Sequence, residues 1–152
     1  MLYSEKLRPF AAAHPCRTID VDGAQFRYIL TGKPEGRTRV FLNGGMNTLE
    51  MWMDYVDALA DTGRVLLFDY PQQLRTNQAL VAGMHAFFAA VKGKILLILP
   101  DQDFFSGQMQ QDLIRLMHEP EIRYVSGGHL STVLKTEDYI RTIRAFLAGQ
   151  PD

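Results

Sequence analysis

One pattern restricts the fold of this chain more than any other. From residue 39 onward, short apolar runs alternate with segments whose apolar residues recur at helical spacing. Val40-Phe41-Leu42, Val65-Leu66-Leu67-Phe68, Ile95 to Leu99 and Ile122 to Val125 read as buried strands. Between the first two, Trp52, Tyr55, Val56 and Leu59 fall at i, i+3, i+4 and i+7, one apolar stripe, with Asn47 and Glu50 as a capping start. Thr76 opens a second helix with Leu80, Met84, Phe87 and Phe88 on one face. A third gathers Met109, Leu113, Leu116 and Met117, and Thr136 caps a last helix built on Ile140, Ile143 and Leu147. Strands joined through helices run parallel, because the crossover returns the chain to the same sheet end. The expectation is an α/β fold with a mostly parallel sheet flanked by helices on both faces.

The part before residue 39 differs. Arg17 to Val21 and Gln25 to Leu30 are β-like runs joined by Asp22-Gly23, a turn pair that tolerates positive φ and signals an antiparallel N-terminal hairpin. Gly32-Lys33-Pro34-Glu35-Gly36 breaks the chain again. Residues 1–16 read as a mobile leading segment ending near Ala-Ala-Ala-His-Pro. No linker, repeat or low-complexity tract divides the chain, so residues 1–152 are expected to form a single domain, a length that buries roughly 70% of the unfolded surface.

Charge and cysteine use narrow the function classes. Sixteen Lys+Arg against seventeen Asp+Glu, with no run of either sign, argue against nucleic-acid binding, which needs a concentrated basic surface. The single Cys16 excludes an intrachain disulfide and a multi-cysteine zinc site. The start MLYSEKLRPF does not read as a secretory leader, and no stretch reaches the roughly 18 apolar residues of a membrane helix. A cytoplasmic protein without metal or cofactor is the expectation.

Three loops hold the polar groups, each at the carboxyl end of an expected parallel strand: Asn43-Gly44-Gly45-Met46, Asp101-Gln102-Asp103 and Gly127-Gly128-His129. Open α/β sheets bind ligands at that end. Each loop also has a plain structural reading. Gly44-Gly45 can serve only to turn the chain, and Asp101 and Asp103 can cap the following helix. His129, set beyond two glycines, is the histidine best placed for chemistry; His14, His85 and His118 lie on the leading segment and on helices.

In that order, the fragments resemble the α/β-hydrolase superfamily over nearly the whole chain. FLNGG followed by a helix beginning LEMW is similar to its His-Gly-Gly segment, with Asn43 where the family usually has His. RVLLFDYPQ is similar to the next strand unit, KILLILPDQD to the strand delivering the catalytic acid, and VSGGHLSTVLKTEDYIRTIRAFL to the histidine loop and final helix. The resemblance implies Asp103 as the acid, His129 as the base and the Gly44, Gly45, Met46 loop as part of an oxyanion hole. It implies a small-molecule acyl or ester substrate, and strands ordered in space 17–21, 25–30, 64–68, 39–42, 94–99, 122–125. In that order 39–42 pairs with 94–99; strand edges left unpaired would instead lead to a homo-oligomer.

The nucleophile is missing from this resemblance. The elbow Gly-x-Ser-x-Gly belongs between the second helix and the Asp103 strand. Here Ala89-Ala90-Val91-Lys92-Gly93 runs straight to Lys94, leaving no room for an elbow or a cap. Of the four serines, Ser4, Ser106, Ser126 and Ser131, none has small residues two positions away on both sides; Ser126 comes nearest, with Gly128 after it but Tyr124 before it. Ser106 is the weak candidate for a substitute. Three readings stand: a reduced hydrolase relative with little or no activity, a hydrolase using Ser106 or a water activated by His129, and a non-enzymatic module binding a small molecule or partner.

Overall fold

The computed structural model describes residues 3–21, 23–35, 38–42, 48–71, 79, 82–83, 85, 88–89, 94–104 and 107–149. The chain forms two compact units, Met1–Ala79 and Leu80–Asp152.

The first unit is built on a four-stranded sheet. Helix α1 (Tyr3–Ala13) precedes strands β1 (Arg17–Val21), β2 (Ala24–Gly32) and β3 (Thr38–Phe41). A 3-10 turn (Leu49–Trp52) leads into α2 (Met53–Leu59), and β4 (Arg64–Phe68) follows. The strand order is β1-β2-β4-β3, the order expected for these four. β1 and β2 form the antiparallel hairpin, with Val21 opposite Ala24. Gly23 takes φ +79° in its turn and donates its N–H to Asp20 Oδ1 at 3.0 Å.

Strand direction corrects the expectation of a mostly parallel sheet. β2 runs antiparallel to β4, and only β3 runs parallel to it. The physical reason lies in the connections. A helix links β3 to β4 and sets them parallel, whereas β1 and β2 are joined by a tight turn that reverses the chain. Gly32, at the end of β2, has φ +86°, and a Cβ there would stand 2.2 Å from the Gly63 carbonyl oxygen. Only glycine fits that approach.

The core of this unit follows the two periodicities read from the sequence. Tyr55, Val56 and Leu59 bury one face of α2, with Leu49 and Met53 beside them, and Val65 and Leu67 alternate inward along β4. Phe41, Trp52 and Tyr55 form an aromatic cluster with centroids 5.0 to 5.8 Å apart. The expected cap Asn47 lies outside the described residues; the turn begins after Thr48. Residues 3–13, expected to be mobile, form α1 instead. Phe10 is buried, and the Lys6 ammonium binds the Asp54 carboxylate at 2.8 Å, so the helix is tied to α2 with Pro9 inside it.

The second unit has a two-stranded parallel sheet. β5 (Leu96–Pro100) and β6 (Glu121–Val125) are joined by α3 (Gly107–Leu116), and α4 (Ser131–Leu134) and α5 (Thr136–Ala148) follow. The expected pairing of 39–42 with 94–99 is not among the strand pairings of the described residues. The expected helix from Thr76 lies mostly outside them; residues 79, 82, 83, 85, 88 and 89 are helical. Two details differ from the helical stripes predicted above. Met109 is exposed rather than packed. Thr136 does not cap α5: its hydroxyl donates back to the carbonyls of Thr132 and Val133, closing α4. Among the described residues, no helix is long and apolar enough to cross a membrane.

Candidate functional site

The register of the second sheet brings two of the polar loops together. Pro100 lies opposite Val125, so both strands end at the same level. Three residues beyond Pro100 comes Asp103, and four beyond Val125 comes His129. Their side chains meet: His129 Nδ1 lies 3.2 Å from Asp103 Oδ1 and 3.4 Å from Oδ2. The carboxylate is sunk, with its side chain 6% exposed, while the imidazole is 47% exposed. A buried carboxylate against Nδ1 fixes the ring's orientation and directs its other nitrogen away from the acid, which is the arrangement of an oriented general base.

Neighbouring groups hold the pair from several sides. The Phe104 ring lies 4.4 Å from the imidazole centroid. Asp101 Oδ1 accepts the Gly127 N–H at 2.8 Å, the Asp101 N–H binds the Val125 carbonyl, and the Gln102 N–H binds the Gly127 carbonyl. Gly127 takes φ +136°, and a Cβ there would come within 3.1 Å of Ser131 Cβ. After the turn, the Ser131 N–H donates to the Gly128 carbonyl. The buried Ser131 hydroxyl lies 2.8 Å from the Tyr139 hydroxyl on α5. Burial pushes the Tyr139 phenol above its ordinary pKa; the Ser131 bond pulls the other way, and the charge of Asp103 adds to the rise. A shallow recess of about 310 Å³ runs along this loop from Gly127 to Lys135, with His129, Leu130 and Leu134 in its wall.

The first unit carries a separate charged cluster. Arg27 reaches Glu50 at 2.7 Å and Asp69 at 2.9 Å, and Asp69 Oδ1 accepts the Leu49 N–H at 2.6 Å. Burial works to raise the Glu50 pKa. Hydrogen bonds from Thr48, its own backbone N–H and Arg27, with the Arg27 charge, outweigh it and leave the group lowered. These bonds hold the start of the Leu49–Trp52 turn.

Of the residues singled out from the sequence, the structure thus joins Asp103 and His129. Gly44, Gly45, Met46 and Ser106 lie outside the described residues. Ser131 is tied to Tyr139, and Ser126 is exposed beside Gly127. The contributions of Phe104, Tyr139 and Asp101 were not read from the sequence. An aromatic directly after the acid was the one available signal, and helical spacing alone gives Tyr139 a core role. Among the described residues, no group of three or more His, Cys, Asp or Glu side chains could hold a metal ion.

No protein-family model matches the chain, and no curated protein matches it in sequence. Solved structures do match. A predicted CIB-like hydrolase from Thermoplasma acidophilum superposes with a TM-score of 0.70 at 14% identity, over 90% of this chain and 99% of the other. The carboxylesterase CesB from Bacillus subtilis gives 0.65 at 10% identity, over 98% of each chain. Identities this low speak for fold alone. They agree with the motif order, and the chain has an α/β-hydrolase-type fold.

Proposed function

We propose that this protein is a reduced α/β-hydrolase relative that keeps the acid and base of an acyl-hydrolysing site without its nucleophile elbow, and that it hydrolyses small esters at trace rates at most. The observation that carries the reading is the 3.2 Å approach of His129 Nδ1 to the sunk Asp103 carboxylate. Carboxylesterase chemistry in one structural neighbour supports the substrate class. In this reading the protein is cytoplasmic, and the Gly44, Gly45, Met46 sequence corresponds by resemblance to the segment that carries the family's first oxyanion donor. The second donor belongs to the residue after an elbow serine, which the sequence lacks; losing one such donor costs about 10²–10³ in turnover. Ser106, the weak candidate, takes no nucleophilic part in this reading.

A second reading has an observation of its own. Leu130, Val133 and Leu134 are exposed beside the His129 recess, an apolar surface suited to holding a small molecule without transforming it. Steady-state assays on short-chain esters separate the two from an active hydrolase. We expect no saturable turnover; saturable hydrolysis that disappears in His129→Ala contradicts the proposal.

A further inference from the structure

We propose that Asp101 is a positioning residue that holds the histidine loop in register with Asp103, so that the two acids of Asp101-Gln102-Asp103 divide the work. The inference rests on the reading of Asp103 and His129 as an acid–base pair. Asp101 leaves β5 with its N–H on the Val125 carbonyl, and its carboxylate turns across to accept the Gly127 N–H at 2.8 Å. One residue thereby grips both the last residue of β6 and the first glycine of the His129 loop. Gln102 adds a third link, its N–H on the Gly127 carbonyl at 3.0 Å. The clamp acts where the loop is least able to hold itself. Gly127 sits at φ +136°, a conformation open mainly to glycine, and glycine loses more freedom on ordering than any other residue.

Two residues further along, His129 must meet a carboxylate carried by the other strand's loop, so any slip of Gly127 moves the imidazole off Asp103. The helix-capping role read from sequence does not describe Asp101, because its carboxylate accepts the Gly127 N–H across the two loops. Asp103, two residues further along the same turn, is left to face the ring.

Three variants of the full chain test this by NMR: Asp101→Ala, Asp101→Asn and Asp103→Ala, each confirmed folded by circular dichroism. The readouts are the His129 ring resonances and the exchange protection of the Gly127 amide. Asp101→Ala is expected to lower Gly127 protection about tenfold, the scale of one charge-assisted hydrogen bond at an exposed site. It is also expected to move the His129 resonances toward those of Asp103→Ala. Asp101→Asn keeps a carbonyl acceptor and is expected to restore both. If Asp101→Ala leaves His129 unmoved while Asp103→Ala shifts it, the positioning role is wrong and the acid–base pair stands. If Asp103→Ala also leaves His129 unmoved, the pair itself is wrong.

Discussion

The two units of the chain spend their residues differently. In the first, Leu49, Val56, Leu59, Val65 and Leu67 are fully buried, and they are the largest such side chains among the described residues. In the second, Phe88, Leu97, Leu99, Met117, Val125 and Tyr139 keep 4–8% of their surface, and Ser131 is the buried polar residue. Four strands can shield a helix face and its sheet together, whereas a two-stranded sheet is marginal without covering helices. The lesson is that apolar burial and loop hydrogen bonding are weighted differently along the chain. Apolar burial dominates the first unit, and hydrogen-bonded loops shape the second.

Core truncation should break that comparison most visibly. Leu67→Ala, at a fully buried position of β4, is expected to cost about 3–5 kcal/mol in denaturant unfolding. Leu99→Ala, in the thinner core of the second unit, is expected to cost about 2–3 kcal/mol. Equal losses would mean that the two cores are equally well packed.

Backbone strain sharpens the picture next. Gly127→Ala forces a β-carbon onto φ +136° and against Ser131 Cβ, and is expected to cost about 1–3 kcal/mol. The same change should shift the His129 resonances. Gly23→Ala, also at positive φ but with open space around it, should leave His129 untouched.

The charged cluster of the first unit gives the smallest effect and a pH signature. Glu50→Gln is expected to cost about 0.5–1 kcal/mol at neutral pH, the scale of a partly exposed ion pair. The folded pKa of Glu50 lies below its ordinary 4.5, so as pH falls the unfolded chain takes up the proton first. The contribution is therefore full above about pH 4.5 and is lost as pH drops toward the folded value. Denaturation midpoints of Glu50→Gln should show a flatter acid limb than the parent.

Several of these features were legible in the sequence, for identifiable reasons. The apolar runs of β4 and β5 announce strands because nothing in them favours a turn. Asp22-Gly23 marks the hairpin because positive φ is needed there. Asp103 and His129 could be paired because parallel strands of equal register bring the following loops to one level. The missed features depend on tertiary partners. α1 contains Pro9, which argues against a helix until Phe10 finds a core and Lys6 finds Asp54. The antiparallel direction of β2 against β4 is absent from local pattern, since an apolar run reads the same in either direction. The bond from Gly127 to Asp101 spans 26 residues, and no spacing rule points to it.

The proposed site is an acid–base pair with no serine nucleophile in its service. Incubation with a serine-directed phosphonate, read by intact mass and peptide mapping, tests it most directly. No stoichiometric adduct is expected on Ser4, Ser106, Ser126 or Ser131, and the background in His129→Ala is expected to equal that of the parent. One serine labelled stoichiometrically, with labelling abolished in His129→Ala, would contradict it and make this chain a rewired hydrolase.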